Sequence, residues 1–134
     1  MSVETLSVTT NRRQEILDLT EEVQSALGGQ GDGVACVSVG HCTCGVYLNE
    51  NESGLLEDTL ALLTELTGGR PWRHDHIDDN AGAHLAATLL GNAVLVPVRG
   101  GKLQLGTWQR LMLVELDGPR RRSVTVTLLP EREA

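Results

Sequence analysis

Four histidines occur in the chain, and each sits among neighbours suited to chemistry: His41 in GHCTCGVYLNEN, His74 and His76 in WRHDHIDDN, and His84 in NAGAHLAA. Imidazole is the commonest metal ligand and the usual acid or base near neutral pH. Three separate segments that supply it point to one shared metal or catalytic site; the alternative is a set of unconnected hydrogen-bonded or surface positions. His74 and His76 form a His-x-His pair whose side chains, in an extended segment, face the same way, so either is available as a ligand. A solvated loop position among Asp75, Asp78 and Asp79 is the plainer reading of His76.

Cys42 and Cys44 flank Thr43 directly after His41, and thiolate suits a soft metal. In an extended chain, however, Cys36, Cys42 and Cys44 share one parity and His41 the other, which turns the cysteines towards core packing. Asn49 and Glu50 follow an apolar run, where a carboxylate acts as a general base or orients another site group; capping the next helix is an equal alternative. The aromatic residues Tyr47, Trp72 and Trp108 all fall in these polar segments, which favours a ring-stacking pocket over core filling. Gly100, Gly101 and Gly106 lack the spacing of a Walker or dinucleotide loop. Arg99, Lys102 and Arg110, and the run Arg120, Arg121 and Arg122, are available to phosphate, with a solvated turn as the alternative for the run.

These side chains need a scaffold, and hydropathy patterning supplies its outline. Val3 to Val8 reads as a strand, and Asn11 with Gln14 resembles an N-cap pair opening a helix with apolar positions Ile16, Leu19, Val23, Ala26 and Leu27. Gly28 and Gly29 close that helix. Val34 to Val39 reads as a buried strand, with Gly45 to Asn49 as its continuation or partner, and Leu55 to Leu66 as a second helix. Trp72 to Asp79 has no period and reads as a loop. Asn80 to Leu90 is a short helix, followed by strands at Ala93 to Val98 and Trp108 to Leu116. Asp117 and Gly118 predict a hairpin turn into a last strand, Ser123 to Leu129. This order favours α+β over an alternating parallel fold.

The 134 residues suit one domain, read here as 1–134, able to bury roughly two-thirds of its unfolded surface. With no Phe, one Tyr and two Trp, the core must be aliphatic. A net charge of −7 disfavours general attraction to nucleic acid or anionic membrane. No apolar run approaches the ~20 residues of a membrane span, no basic leader precedes an apolar stretch, and three cysteines cannot all pair. A cytoplasmic protein with reduced thiols is the expectation.

HCTCGVYLNEN, WRHD, DNAGAHL, LLGNAVLVPV, GGKLQLGTWQ and DGPRRR occur in the order seen in YjbQ-type proteins, and the chain resembles that family from about Val34 onward. The family is described as secondary thiamine-phosphate synthases. The resemblance implies a mixed or antiparallel sheet curved into a half-barrel, with two main helices and one short one, assembled as a homotrimer with sites near subunit boundaries. It implies His41, His74 and His84 as metal ligands, Glu50, Asp79 and His84 as catalytic groups, and Asn49, Thr107, Trp108, Gln109, Arg121 and Arg122 as substrate contacts. His76 has no counterpart in the family. Cys42 and Cys44 depart from it, standing where Thr or Ser and a small residue are usual.

The implied reaction couples an aminopyrimidine methyl diphosphate with a thiazole phosphate and releases pyrophosphate. A departing diphosphate needs its charge neutralised, generally by a divalent cation and basic groups. Imidazole suits zinc, iron or nickel, whereas magnesium prefers oxygen, so the ligand types favour zinc or another transition ion and the diphosphate favours magnesium. A zinc-dependent hydrolase built on the same histidines, and a non-catalytic trimer that binds a metal or metabolite, are the competing expectations.

Overall fold

A computed structural model of the chain describes residues 1–29 and 31–132; positions 133 and 134 of the expected domain lie outside them. The described residues form one α+β domain. In chain order the elements are β1 (Ser2–Thr9), β2 (Glu15–Asp18), α1 (Thr20–Ala26), β3 (Gly33–Val39), β4 (Cys44–Asn49), α2 (Ser53–Thr67), α3 (Ala81–Leu90), β5 (Ala93–Arg99), β6 (Lys102–Leu103), β7 (Arg110–Glu115) and β8 (Arg121–Pro130). Two antiparallel sheets, ordered β1-β8-β3-β5-β6 and β2-β7-β4, curl into a half-barrel.

The two periods in the sequence explain how the layers stack. β8 alternates, so Arg122, Val124 and Val126 are buried and their neighbours face outward. β7 does not alternate: every residue from Leu111 to Leu116 is buried, because both faces of this strand are covered. Leu111 and Leu113 enter the core between the sheets, with Val37, Val39, Val46, Val124, Val126, Leu19 just before α1 and Val23 within it. Val114 and Leu116 point the other way, against Leu63 of α2 and Ala86 of α3. Helices α2 and α3 therefore cover one side of the smaller sheet while α1 packs on the other, and the polar ends of α3 and of the β3–β4 connection meet at one edge.

Three local expectations are corrected. The first helix begins at Thr20 and not near Ile16, because Glu15–Asp18 pairs with Met112–Glu115 as a strand. Asn11 caps no helix; its backbone N–H donates to Glu15 Oε1. Asp117 and Gly118 form no hairpin, since β7 and β8 belong to different sheets and the turn carries the chain from one to the other. Within the expected 72–79 loop, Arg73–His76 makes a single 3₁₀ turn.

Gly45 sets how closely α3 approaches β4. A Cβ there would lie 2.8 Å from the Gly91 carbonyl oxygen and 2.9 Å from Leu90 Cβ, and that same carbonyl accepts the Val46 N–H at 3.1 Å. Gly45→Ala is therefore expected to lower the unfolding free energy by about 1–3 kcal/mol through overpacking. Urea denaturation checks this, through a reduced midpoint with an unchanged slope.

Candidate functional site

His41 lies in the tight connection Gly40–Thr43 between β3 and β4, and His84 lies in the first turns of α3. Both line the same polar cavity of about 430 Å³, together with Cys42, Thr43, Asp78, Asn80, Asp117, Arg120 and Arg122. A neighbouring space of about 460 Å³ again has His41 and His84 on its wall, with Cys42, Cys44 and Thr88. Thr88 shares the face of His84 one helical turn on and donates to its carbonyl at 3.0 Å.

His74, in the 3₁₀ turn, meets His84 edge to face, with ring centroids 4.6 Å apart and planes at 74°. Its Nε2 is buried without a hydrogen-bond partner and lies 3.9 Å from Asp78 Oδ2. The three histidines taken from the motifs are thus gathered in one region, whereas His76 is exposed. Among the described residues, no three or more His, Cys, Asp or Glu side chains are grouped closely enough to hold a metal ion.

A buried ion pair forms the floor of the cavity. Glu115 ends β7 on the face of Leu111 and Leu113, and Arg122 begins the inward face of β8, so the two point at each other between the sheets. Arg122 is 1% exposed and Glu115 0%. Arg122 Nε donates to Glu115 Oε1 at 2.9 Å and Nη2 to Oε2 at 2.5 Å. Nη2 also donates to Thr43 Oγ1 at 2.9 Å, two residues from His41, and Thr10 Oγ1 donates to Glu115 Oε1 at 2.7 Å. Burial pushes the Glu115 carboxyl upward, but hydrogen bonds from Arg122 and Thr10 outweigh it and hold the group below its ordinary value.

Around this floor Asp117 organises the rim. Its carboxylate accepts from Asn80 Nδ2 at 2.9 Å and Arg120 Nη2 at 3.3 Å, while Asp75 caps α3 by accepting the Ala81 N–H at 2.8 Å. The parity argument for the cysteines holds only at Cys44: Cys36 lies half-buried on the face of β3 opposite Ala35 and Val37, and Cys42 leaves the core altogether. Residues 41–43 form a turn, not a strand, so Cys42 is exposed beside His41. Cys44, the first residue of β4, is buried, and burial pushes its thiol up to about 11.

A family profile described as UPF0047 protein YjbQ-like matches residues 4–131. The chain belongs to this family. A UPF0047 protein of Archaeoglobus fulgidus is 48% identical over 125 residues, covering 92% of this chain and 98% of that one. UPF0047 protein YugU of Bacillus subtilis is 34% identical, with 95% and 98% covered. Among solved structures, a YbjQ-like protein of unknown function from Sulfolobus solfataricus superposes with a TM-score of 0.93 at 45% identity, over 97% of each chain.

The remaining motif residues do not all reach the histidines. Asn49 pairs with Arg110 at one end of the β4–β7 ladder, and Cys44 pairs with Glu115 at the other. Five extended residues separate these ends by about 17 Å. Glu50, Thr107 and Trp108 line a pocket at the Asn49 end, Asn49 Oδ1 accepts the Glu50 N–H, and Gln109 Oε1 accepts the Gly106 N–H within its own turn. Asp79 has a φ of +53° and faces a third hollow with Trp72, leaving Asp78 and Asn80 to border the histidine cavity. Arg121 is exposed on β8 and does not line the cavity, and Arg122 reaches it only as half of the ion pair. The shared ring-stacking pocket dissolves as well: Tyr47 packs under the helices, and Trp72 donates to the Thr67 carbonyl at 2.7 Å with Arg70 over its ring.

Sequence reasoning offered Arg120 only as part of its arginine run, and missed Thr43, Asp78, Asn80, Glu115 and Asp117. For Glu115 a signal existed: one carboxylate ends the continuous apolar run LMLV, and a charge in a strand buried on both faces demands a buried counter-charge. Glu115→Ala is expected to cost about 3–5 kcal/mol, because it strands Arg122 in the core. The apolar pair Glu115→Met with Arg122→Met should lose far less, as read by urea unfolding. Since the folded-state pKa of Glu115 is depressed, its contribution is present above the unfolded value of 4.5 and is lost as pH falls through the folded one. The stability difference between the unaltered chain and the Met pair should narrow in that acid range.

Proposed function

We propose that the chain is a small enzyme acting on a phosphorylated heterocycle at the His41–His84 cavity, with thiamine-phosphate-synthase-like coupling as the specific reaction. One observation carries this reading: His41 and His84, from separate segments, line one cavity whose floor holds the buried Arg122 and whose rim holds Arg120, with His74 from a third segment packed edge to face on His84. In the coupling, the thiazole nitrogen attacks the methylene carbon of the pyrimidine diphosphate. The carbon–oxygen bond breaks, and pyrophosphate leaves with the electron pair. Arg120 at the rim offsets charge on the leaving group. His41 or His84 donates the proton that makes it a better leaving group.

The donor types at the cavity are imidazole, one thiol and the carboxylates of Asp78 and Asp117; Asp117 is engaged by Asn80 and Arg120, and imidazole and thiol fit zinc or another transition ion better than magnesium. The buried, unpartnered Nε2 of His74 is a free donor atom for one. His41, His74 and His84 would hold such an ion only on drawing closer together than they stand among the described residues; bound there, it would supply a Lewis acid for phosphate oxygen. Assembly as a homotrimer belongs to the same proposal. It is supported by Leu62, Leu66, Ile77 and Leu89, large apolar side chains on and near the helices that are all more than half exposed.

The test incubates the purified chain with thiazole phosphate and aminopyrimidine methyl diphosphate, with and without added zinc, and follows pyrophosphate and coupled product. His84→Ala is expected to reduce turnover by about 10²-fold or more, and His76→Ala to leave it unchanged. Water-dependent cleavage without coupling would replace the synthase reading with a hydrolase. Unchanged turnover and unchanged metal content in His84→Ala would remove the site itself.

A further inference from the structure

The pocket at the Asn49 end of the smaller sheet has no part in the proposed reaction, and its lining differs from that of the histidine cavity. It has a volume of about 340 Å³ and is lined by Asp18, Glu50, Glu52, Thr107, Trp108 and Arg110. Trp108 is 71% exposed in a chain with one other tryptophan. It is not on a loose loop. The turn Gly106–Gln109 is closed by the Gln109 N–H on the Gly106 carbonyl at 3.0 Å and by the Gln109 side chain on the Gly106 N–H at 2.8 Å. The closed turn fixes the backbone from which the indole projects, so the aromatic face stands at a defined place beside the pocket.

The charges around that face are sorted by their partners. Arg110 is consumed: Nε donates to Asp18 Oδ2 at 2.7 Å and Nη2 to Glu21 Oε2 at 2.5 Å. Asp18 is satisfied further by Thr20 and Asn51, and Glu52 is occupied in capping α2, accepting from the Gly54 and Leu55 N–H groups. Glu50 differs. It is half-buried, and among the described residues its carboxylate has neither a hydrogen-bond donor nor a cation. The wall therefore offers an uncompensated negative charge beside an open aromatic face, with the only arginine already neutralised.

We infer that this pocket binds a small planar organic cation, stacked on Trp108 and paired with Glu50. A flat cation gains from the ring quadrupole and from the carboxylate together. A neutral ring gains only the first contact, and a compact metal ion only the second. Neither the histidine cavity nor its proposed reaction enters this inference.

Benzamidine serves as the probe, benzamide as its neutral isostere and calcium as the compact cation, with binding followed by the indole N–H resonances in ¹H–¹⁵N NMR spectra. Trp72→Phe assigns the two indole signals. Benzamidine is expected to shift the Trp108 signal saturably, and benzamide at the same concentration to shift it little. Glu50→Gln should weaken benzamidine about fivefold or more, while Glu57→Gln, on the exposed part of α2, leaves the affinity unchanged. The inference is overturned if benzamide binds as well as benzamidine, if Glu50→Gln has no effect, if calcium displaces the probe at equal concentration, or if only Trp72 responds.

Discussion

The architecture depends on one buried contact, the ion pair between Glu115 and Arg122. Glu115 belongs to the sheet β2-β7-β4 and Arg122 to the sheet β1-β8-β3-β5-β6, so the pair is a polar rivet between layers otherwise joined by aliphatic side chains. It recruits Thr10 after β1 and Thr43 before β4, which ties four segments to a single point. A charge pair in such a place is not a cheap source of stability, because the desolvation it requires rivals the attraction it gains. What it supplies is position: Thr43 is fixed, and with it the short turn that carries His41.

The rest of the histidine cavity follows from that turn and from α3. The helix lies close to β4 because Gly45 has no Cβ to meet Leu90 and the Gly91 carbonyl, which places His84 opposite His41. Asp75 caps the same helix and so fixes the register of the 3₁₀ turn that brings His74 against His84. The polar rim of Asp117, Asn80 and Arg120 is built from the crossing between the two sheets, at the place where the sequence suggested a simple hairpin.

Much of this was legible in the sequence because it obeys local rules. The alternation of β8, the period of α2 and the glycines that end the helices place the elements to within a few residues, and the ordered motifs pick out His41, His74 and His84. What was not legible depends on contacts between distant segments. The strand Glu15–Asp18 looks helical because Ile16 and Leu19 fit a helical stripe, and only pairing with β7 decides otherwise. Cys42 was misplaced because parity applies to strands and fails in a turn. Glu50 shares a motif with His41, yet strand β4 carries it to the far end of the sheet, where Trp108 also stands, since nearness in sequence becomes distance along an extended chain.

Two hollows of different character therefore sit at the two ends of one ladder, a histidine-lined cavity over the ion pair and an acidic, aromatic pocket beyond Asn49. The central claim is that the first of these receives a phosphorylated ligand through His41 and His84. Its most direct measurement is the imidazole ¹⁵N NMR spectrum during titration with inorganic pyrophosphate. The account predicts that the His41 and His84 signals move together and saturate at a common concentration while His76 stays fixed. Movement of His76 alone, or no saturable change at His41 and His84, would contradict it.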